Sequence, residues 1–340
     1  MGKVAITGGL GFVGSHLAEH FAQQGHEVVA FDNKTRPSSA DGYEKTMELL
    51  SQYRRFTFVD GDVRNREQVG RALEGATAIF HTAGQVAVTW SMDSPATDFE
   101  INAGGTLNVL EAARQSKSDP RLVFCSTNKV YGGSVNAFGT TESPARYSFP
   151  DEHRDGVDEG TSIDQSDHSP YGASKLAADL YVQEYYHSYG LKSTVFRMSC
   201  IYGDRQTGLE DQGWVAWFAI STLRGSPIRI FGDGKQVRDV LFVDDLVSAF
   251  EAAVGNKAAA GQVFNIGGGP ENTISLLELL DLLEKLTGKR SPLSYHPWRP
   301  GDQKVYVSDI RKAKRLLGWS PAVSPEEGVK RMLAYLEGRG

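Results

Sequence analysis

Two side chains that could exchange a proton lie four residues apart in the segment YGASK: the phenol of Tyr171 and the ammonium of Lys175. At this spacing both side chains lie on the same face of a helix. Such pairs also occur in ordinary helices, so the spacing alone does not predict chemistry. Two further features favour a reaction site. The preceding strand-like run, RLVFCST, ends in the hydroxyls of Ser126 and Thr127, and a glycine-rich turn lies upstream.

The glycine-rich turn, TGGLGFVG, places Gly8, Gly11 and Gly14 three residues apart, between a strand-like run and a helix-like run. Glycines there permit a tight turn and let backbone N–H groups approach a pyrophosphate at the positive end of the helix dipole. Asp32 ends the next strand-like run, at about the distance of 20 residues where a carboxylate binds ribose hydroxyls. A carboxylate would repel a 2′-phosphate, which favours NAD over NADP, although Arg36 follows closely and leaves NADP open.

Residues at the ends of other predicted strands are further candidates for the cofactor. Asp62 and Val63 follow the third strand and could contact the cofactor. A turn acid and a core valine would explain these two residues almost as well as cofactor binding does. Asn102 fits a helix-packing role as well as a site role, and His81 is interpreted as a buried, satisfied histidine. The predicted cofactor-binding residues are Gly8, Gly11, Phe12, Val13, Gly14, Asp32, Asn33, Arg36, Asp62, Val63, Ala83, Gln85, Asn102, Ser126, Tyr171 and Lys175.

The elements that would position these residues alternate between strand-like and helix-like runs, from KVAITGG to a seventh candidate strand, QVFNIGG. This alternation predicts an α/β fold, a Rossmann-type doubly wound parallel sheet that gathers ligands at the carboxyl ends of its strands. After Ser199 the alternation changes, which predicts a smaller C-terminal substrate-binding lobe. The expected domains are discontinuous: residues 1–198 with about 234–270 for NAD, and 199–233 with 271–340 for the substrate.

Two segments fall outside the alternation. The stretch 133–169 is long, polar and turn-rich, and it joins two candidate site segments, so we predict a loop that borders the cleft. The segment PIRIFGDGKQVRDVLFV is interpreted as two strands paired through a turn.

Composition narrows the class of protein. The net charge of −6 argues against nucleic acid or an anionic membrane as the main partner. The sequence has no signal peptide and no apolar run of spanning length, so we expect a cytoplasmic protein. The two cysteines, Cys125 and Cys200, lie in no CxxC or Cys/His cluster. We therefore expect neither a disulfide framework nor a metal site.

In these motifs the chain resembles the extended short-chain dehydrogenase/reductase superfamily along nearly its full length. Ser126 or Thr127, Tyr171 and Lys175 match the superfamily's Ser/Thr–Tyr–Lys set. The resemblance implies that Tyr171, as phenolate, removes the proton of a sugar hydroxyl that Thr127 holds, while hydride leaves the same carbon for NAD⁺. Lys175 would hold the nicotinamide ribose and, with the nicotinamide cation, lower the pKa of Tyr171 from about 10. The expected catalytic residues are Thr127, Tyr171 and Lys175.

A narrower resemblance is carried by AGQVAV, DFEINAGGTLNVLEA, STNKVYG, HSPYGASK, DQGWVAWF, GKQVRDVLFVDD and FNIGG. Together these segments are similar to the CDP-paratose/CDP-tyvelose 2-epimerase family, and STNKVYG and DQGW are the most distinctive. The resemblance implies inversion at C2 of a CDP-linked sugar, by oxidation to a ketone and return of the hydride to the opposite face. NAD would stay tightly bound, and no metal would be needed.

Two related reactions are disfavoured by one or two positions each. Sugar-nucleotide 4,6-dehydratases usually carry Asp and Glu where this chain has Asn128 and Lys129, and UDP-galactose 4-epimerases usually carry Asn in place of Cys200. Two alternatives stay open. One is a 2- or 4-epimerase of another nucleotide sugar, of the CDP-glucose or UDP-glucose type, and the other is a non-catalytic NAD-sensing protein of the same fold.

Arginines are the candidates for the nucleotide diphosphate, because a guanidinium fork binds phosphate bidentately. Arg238 is the first candidate and Arg299 the second, and the alternative for both is an ion pair with Asp239 or Asp302. The superfamily resemblance also implies a homo-oligomer, a dimer or tetramer, that associates through the helices of GGTLNVLEAARQS and YGASKLAADLYVQEYY. The predicted substrate-binding residues are Gln85, Thr127, Asn128, Lys129, Gln206, Arg238 and Arg299.

Overall fold

Short runs of apolar, β-branched and aromatic residues form the strands, because such side chains suit a pleated, half-buried surface. The computed structural model describes residues 2–35, 40–299 and 301–338. Its strands, in chain order, are β1 (Lys3–Thr7), β2 (Glu27–Asp32), β3 (Phe56–Asp60), β4 (Ala78–His81), β5 (Arg121–Thr127), β6 (Thr141–Glu142), β7 (Tyr147–Ser148), β8 (Lys192–Met198), β9 (Cys200–Tyr202), β10 (Ile228–Phe231), β11 (Val237–Phe242), β12 (Val263–Ile266), β13 (Thr273–Ser275), β14 (Leu293–His296) and β15 (Val305–Tyr306).

Local capping signals set several helix boundaries. Ser169 accepts a hydrogen bond from the Gly172 N–H at the start of the YGASK helix, and Ser275 forms a capping box with Glu278. Among the helices in the described part of the chain, none combines the length and apolar content that crossing a membrane requires. The helices are α1 (Phe12–Gln23), α2 (Ala40–Ser51), α3 (Arg66–Leu73), α4 (Val88–Asp93), α5 (Pro95–Phe99), α6 (Gly105–Gln115), α7 (Pro170–Tyr189), α8 (Trp214–Arg224), α9 (Val243–Gly255), α10 (Leu276–Thr287), α11 (Arg311–Leu317) and α12 (Pro325–Glu337).

Shorter helical turns join some of these elements. A π-helical turn, Glu100–Gly104, links α5 to α6, and a 3₁₀ segment, Asn128–Phe138, follows β5 directly. Further 3₁₀ turns span Asp151–His153, Lys257–Ala259 and Pro270–Asn272.

The central sheet has seven strands in the order β12-β8-β5-β4-β1-β2-β3, and every neighbouring pair is parallel. The predicted α/β fold with a doubly wound parallel sheet is therefore confirmed, including β12 as its seventh strand. The strand order reverses beside β1, whose neighbours are β2 and β4. Ligands of such sheets bind at the carboxyl ends of the strands at this reversal.

Helices cover both faces of the sheet and bury its apolar side chains. On one face α1 and α9 pack through Leu17, Phe21, Leu246 and Phe250. On the other, α3, α6 and α7 pack through Val69, Val109, Leu110 and Val182. Each fully buried side chain of this size stabilises the fold by roughly 1.5–3 kcal/mol. The strand ends that carry the candidate site residues are thus held on a rigid base.

The C-terminal lobe is built around β11, which pairs with β13, β15 and β9, while β10 pairs with β14. The expected pairing of β10 with β11 through a turn is wrong. Gly232 and Gly234, both at positive φ, turn the chain between them, and the Gln236 amide donates to the Phe231 carbonyl at 2.7 Å. Each strand thus meets a partner distant in sequence, which a local pattern does not encode.

The division into domains stays a prediction. β11 lies in the part predicted to bind NAD, but it is hydrogen-bonded to three strands from the part predicted to bind the substrate. β12, from the same predicted part, lies in the central sheet.

The long segment 133–169 is fastened to the lobe by backbone hydrogen bonds. The Val157 N–H donates to the Val307 carbonyl at 2.8 Å, and the Tyr147 N–H donates to the Lys235 carbonyl at 2.9 Å. The Asn265 amide also donates to the Val157 carbonyl at 2.7 Å, which ties this segment to β12. The segment therefore bridges the central sheet and the lobe.

Candidate functional site

The turn after β1 is shaped for close approach of a ligand to the backbone. Gly8 has a φ of 70°, and its N–H donates to the Phe31 carbonyl at 2.8 Å. A Cβ on Gly14 would lie 2.1 Å from the Gly8 carbonyl oxygen, so the turn requires glycine there. Gly11 precedes α1 without a capping side chain, which leaves the N–H groups of Phe12 and its successor Val13 for an anion. The turn fits a dinucleotide pyrophosphate.

Asp32 lies beside this turn at the end of β2. It is buried, and its two carboxylate oxygens accept the N–H groups of Leu10 at 3.1 Å and Lys34 at 2.9 Å. Burial raises the pKa of Asp32, while these backbone N–H groups lower it. Asp32 thus lies beside the glycine turn, and its binding of ribose hydroxyls stays a prediction. Arg36, the residue that left NADP open, lies outside the described residues.

Two of the predicted cofactor-binding residues, Asp62 and Val63, follow β3. The Asp62 carboxylate accepts the Asn33 amide at 3.0 Å and forms an ion pair with Arg64 at 2.7 Å. The Arg64 hydrogen bond lowers the pKa of Asp62 to about 2. Val63 is buried against Gly105, where an added Cβ would lie 2.7 Å from the Val63 side chain. Val63 is thus a core valine, and the cofactor roles of Asn33, Asp62 and Val63 stay predictions.

The end of β4 lies opposite the glycine turn. A Cβ on Gly8 would lie 2.7 Å from the Ala83 nitrogen, and one on Gly84 would lie 3.8 Å from Lys175 Nζ. The turn, Ala83 and Lys175 therefore share one edge of the sheet. His81, the last residue of β4, is buried. Its Nδ1 lies within hydrogen-bond distance of the Thr7 hydroxyl, and its Nε2 within hydrogen-bond distance of the Thr106 hydroxyl. Burial lowers the pKa of His81 to about 3, which agrees with its interpretation as a satisfied structural histidine.

A buried carboxylate, Asp98, organises the residues between β4 and α7. It accepts the Gln85 amide at 2.6 Å, the Asn102 amide at 3.3 Å and the Ser174 hydroxyl. Asn102 also binds the Gln85 backbone and the Ser174 hydroxyl. Gln85 and Asn102 are therefore held in a polar network under the site, and their cofactor and substrate roles stay predictions. Sequence analysis missed Asp98, although it lies one helical turn before Asn102.

The predicted catalytic hydroxyl and phenol meet at the end of β5. The Thr127 hydroxyl lies close to the Tyr171 phenol and lowers its pKa. The Tyr171 N–H donates to Ser91 Oγ at 3.1 Å, which fixes the first turn of α7. Burial is the larger effect and raises the pKa of Tyr171 to about 12.

Lys175 lies one helical turn further along α7 and is 4% exposed. Its ammonium donates to the Cys125 carbonyl at 2.5 Å and lies 4.2 Å from the centre of the Phe124 ring. Burial lowers the pKa of Lys175 to about 8. The expectation that this ammonium and the nicotinamide cation together lower the pKa of Tyr171 stays a prediction, and Lys175 is not among the groups that shift that pKa in this structure. The ammonium is directed to the Cys125 carbonyl, and burial of the phenol dominates.

Ser126 lies behind Thr127 and faces α7. Its hydroxyl donates to Asp179 at 2.7 Å, and Asp179 accepts a bidentate fork from Arg197 at 3.0 and 3.1 Å. Arg197 also donates to the Tyr131 hydroxyl at 3.2 Å. This buried ion pair joins α7 to β8 behind the site. Asp179 was missed, although Tyr171, Lys175 and Asp179 repeat every four residues on α7, and the cofactor role of Ser126 stays a prediction.

The residues predicted for the substrate fall into two groups. Thr127 accepts the Lys129 N–H at 3.3 Å and donates to Asn128 Oδ1 at 3.3 Å, while Arg238 forms an ion pair of 2.6 Å with Asp302. In contrast, Gln206 donates to the Ile201 carbonyl and Arg299 to the Glu210 carbonyl, which joins both to the segment before α8. Their substrate roles stay predictions.

No group of three or more metal-binding side chains (His, Cys, Asp or Glu) occurs within residues 2–35, 40–299 and 301–338. Cys125 and Cys200 are both free thiols.

Comparison with known proteins identifies relatives along the whole chain. Residues 4–267 match the model of the family described as NAD dependent epimerase/dehydratase. The chain is 44% identical to CDP-paratose 2-epimerase of Salmonella typhi, over 97% of this chain and 98% of that protein. Its structure resembles UDP-glucose 4-epimerase from Thermotoga maritima with UDP-glucose (TM-score 0.81, 32% identity, 99% of both chains). It also resembles UDP-glucuronic acid 4-epimerase from Bacillus cereus in complex with UDP-glucuronic acid and NAD (TM-score 0.83, 28% identity, 99% and 100% of the chains). The chain therefore belongs to the NAD-dependent epimerase/dehydratase family, in agreement with its glycine turn and its Thr127–Tyr171–Lys175 set.

Proposed function

We propose that this protein is an NAD-dependent epimerase that inverts C2 of a CDP-linked sugar of the paratose/tyvelose type. The observation that carries an oxidoreduction at a sugar hydroxyl is the position of Lys175, one helical turn after Tyr171. Its ammonium donates to the Cys125 carbonyl of β5 at 2.5 Å and lies 3.8 Å from a Cβ built on Gly84, at the end of the sheet that also holds the glycine turn. The choice of C2 and of CDP is supported by the 44% identity to the Salmonella typhi 2-epimerase.

Tyr171 and Thr127 act on the reacting hydroxyl in this reaction. Tyr171, as phenolate, removes the proton of the C2 hydroxyl, and Thr127 holds that hydroxyl by a hydrogen bond. NAD⁺ held at the glycine turn and Asp32 would supply the acceptor for the C2 hydrogen as hydride, and the donor that gives it back to the other face of the C2 ketone. Tyr171 then returns the proton to the new alcohol oxygen, so the sugar is isomerised without net oxidation.

The reaction requires Tyr171 in its deprotonated, phenolate form. With a pKa of about 12, the phenol is almost fully protonated at neutral pH. A nearby positive charge stabilises the phenolate, and the nicotinamide ring of bound NAD⁺ would supply such a charge. Tyr171 is therefore a base chiefly when NAD⁺ is bound.

The glycine turn gives a direct test of cofactor binding. Gly14→Ala is expected to lower NAD affinity by at least about 10-fold, because the new Cβ would overlap the Gly8 carbonyl and displace N–H groups that bind the pyrophosphate, where each 1.4 kcal/mol is tenfold. The measurement is NAD released on denaturing the purified protein, together with the dissociation constant for added NAD. The matched control is Gly70→Ala on α3, where the added Cβ meets nothing within 4 Å. Normal NAD affinity in Gly14→Ala would contradict this location for the pyrophosphate.

The reaction itself is tested by proton NMR in D₂O with CDP-paratose, CDP-glucose and UDP-glucose as substrates. We expect inversion at C2 of a CDP sugar, with the C2 hydrogen retained because it travels as hydride and never exchanges with solvent. Deuterium at C2 would contradict the hydride mechanism. Inversion at C4 of UDP-glucose would replace the proposed reaction by a 4-epimerase, and no conversion of any sugar by NAD-loaded protein would favour a non-catalytic NAD-binding protein.

We also propose that the protein forms a homo-oligomer, a dimer or tetramer, through α6 and α7. These helices expose large apolar side chains, of which Leu180 is 47% and Tyr181 51% exposed. Exposed apolar patches of this kind mark association surfaces. Light scattering of the purified protein gives the mass of the particle in solution.

A further inference from the structure

The side chain of Lys129 joins the reaction centre to the arginine predicted to bind the diphosphate. Its backbone N–H donates to Thr127 Oγ1 at 3.3 Å, at the start of the 3₁₀ segment that follows β5. Its ammonium lies within the electrostatic reach of Arg238, Asp302 and Cys200. Lys129 therefore extends from the hydroxyl that contacts Tyr171 towards the lobe.

The charges around this ammonium do not balance. Arg238 is satisfied by the Val237 carbonyl at 2.8 Å and by the Asp302 carboxylate at 2.6 Å. Burial raises the pKa of the Cys200 thiol, which is therefore neutral and also accepts the Trp214 N–H at 3.2 Å. Two cations thus face one carboxylate.

Lys129 has no partner of its own to offset this surplus. Within the described ranges the hydrogen bonds of Lys129 are made by its backbone, and its ammonium makes no hydrogen bond or ion pair. The Lys129 side chain is half-buried, and a charge that is partly removed from water without a partner is unfavourable. The arrangement is explained if an anion from outside the chain completes it.

The position of this surplus charge agrees with the proposed reaction. In a nucleotide sugar the glycosyl-side phosphate is attached to C1, and C2 is the adjacent ring carbon. A cation that extends from Thr127, at the reacting C2 hydroxyl, towards Arg238 spans this short distance. C4, in contrast, lies across the sugar ring from the phosphate.

We propose that Lys129 binds the glycosyl-side phosphate of the nucleotide sugar, beside Arg238, and so holds C2 at Tyr171. The proposal rests on the proposed function. Asp302 holds the Arg238 guanidinium in place and neutralises its charge. The charge of Lys129 has no such partner and is therefore the one that binds the phosphate. A charge-assisted hydrogen bond to phosphate is both short and strong, which gives Lys129 a measurable share of the affinity for a diphosphate.

The test compares the affinities of NAD-loaded protein for CDP and CMP, measured by calorimetry. Lys129→Met keeps the length of the side chain and removes its charge. We expect CDP affinity to fall by about 10- to 100-fold, the effect of losing a hydrogen bond to a charged group, and CMP affinity to change little. Lys129→Arg is expected to restore part of the CDP affinity. Lys257→Met, at an exposed lysine remote from the cleft, is the matched control.

Equal losses of CDP and CMP affinity in Lys129→Met, or no loss of either, would overturn the proposal. So would a wild-type protein that binds CDP no more tightly than CMP. The same comparison with UDP and UMP separates this inference from the proposed function. If only uridine nucleotides bind and they show the expected contrast, the assignment of CDP fails and the role of Lys129 stands. If the wild type inverts a CDP sugar but Lys129→Met binds CDP normally, only the role of Lys129 fails.

Discussion

Tyr171→Phe is expected to lower kcat for sugar inversion by about 10²–10⁴-fold, the range that a positioned general acid or base contributes. The substitution removes only the phenol oxygen from a side chain that is 8% exposed, so packing around the ring is preserved. Thr127 keeps its place, because it still accepts the Lys129 N–H and donates to Asn128. The loss therefore falls on proton transfer rather than on the fold. Initial rates of inversion, followed by proton NMR, give the change in kcat.

The control for this substitution is on the same helix. Tyr189→Phe removes the hydroxyl of a tyrosine that is 58% exposed, and we expect it to leave kcat unchanged. NAD content and CDP affinity are measured on both variants and are expected to match the wild type. If Tyr171→Phe turned over sugar at the wild-type rate, another group would be the base, and the role of the Thr127–Tyr171 pair would be refuted.

Asp179→Asn is expected to lower the free energy of unfolding by about 3–5 kcal/mol, the cost of removing one partner of a buried ion pair. Asp179 is fully buried, and its carboxylate accepts two N–H groups of Arg197 and the Ser126 hydroxyl. Asparagine has nearly the same shape but no charge, so the Arg197 guanidinium would stay buried without compensation. Denaturant unfolding of the variant and the wild type gives the difference in free energy.

An exposed ion pair serves as the comparison. Glu327 pairs with Arg331 on α12 at 2.8 Å, with side chains that are 45% and 48% exposed. Glu327→Gln is expected to cost between about 0 and 1 kcal/mol, because water screens exposed pairs. If the two substitutions cost the same, the pair of Asp179 and Arg197 would be screened as well, and its assignment as the main tie between α7 and β8 would be wrong.

The sequence by itself determined the elements of the site whose cause is local. Gly8 needs positive φ and Gly14 leaves no room for a Cβ, so the spacing of the glycines specifies the turn before α1. Ser169 caps the helix that carries Tyr171 and Lys175, and the i, i+4 spacing places both side chains on one face. The order of strands and helices was also sufficient to predict a parallel, doubly wound sheet.

Other features depend on which distant elements pack together, and only the tertiary structure decided them. β10 pairs with β14 rather than β11, and Arg238 pairs with Asp302, 64 residues away. Asp98 and Asp179 lie in helices where a carboxylate is usually exposed, and both are buried because remote donors satisfy them. The ammonium of Lys175 is directed to the Cys125 carbonyl by the close packing of α7 on β5.

The physical reason for this division is the range of the interactions. Backbone preferences, caps and hydrophobic periodicity act over a few residues, so they can be read along the chain. Burial, and with it the pKa of Tyr171 and the uncompensated charge of Lys129, depends on every element that packs around a side chain. The sequence therefore specified which groups take part in the chemistry, and the packing of distant elements decided their protonation and their partners.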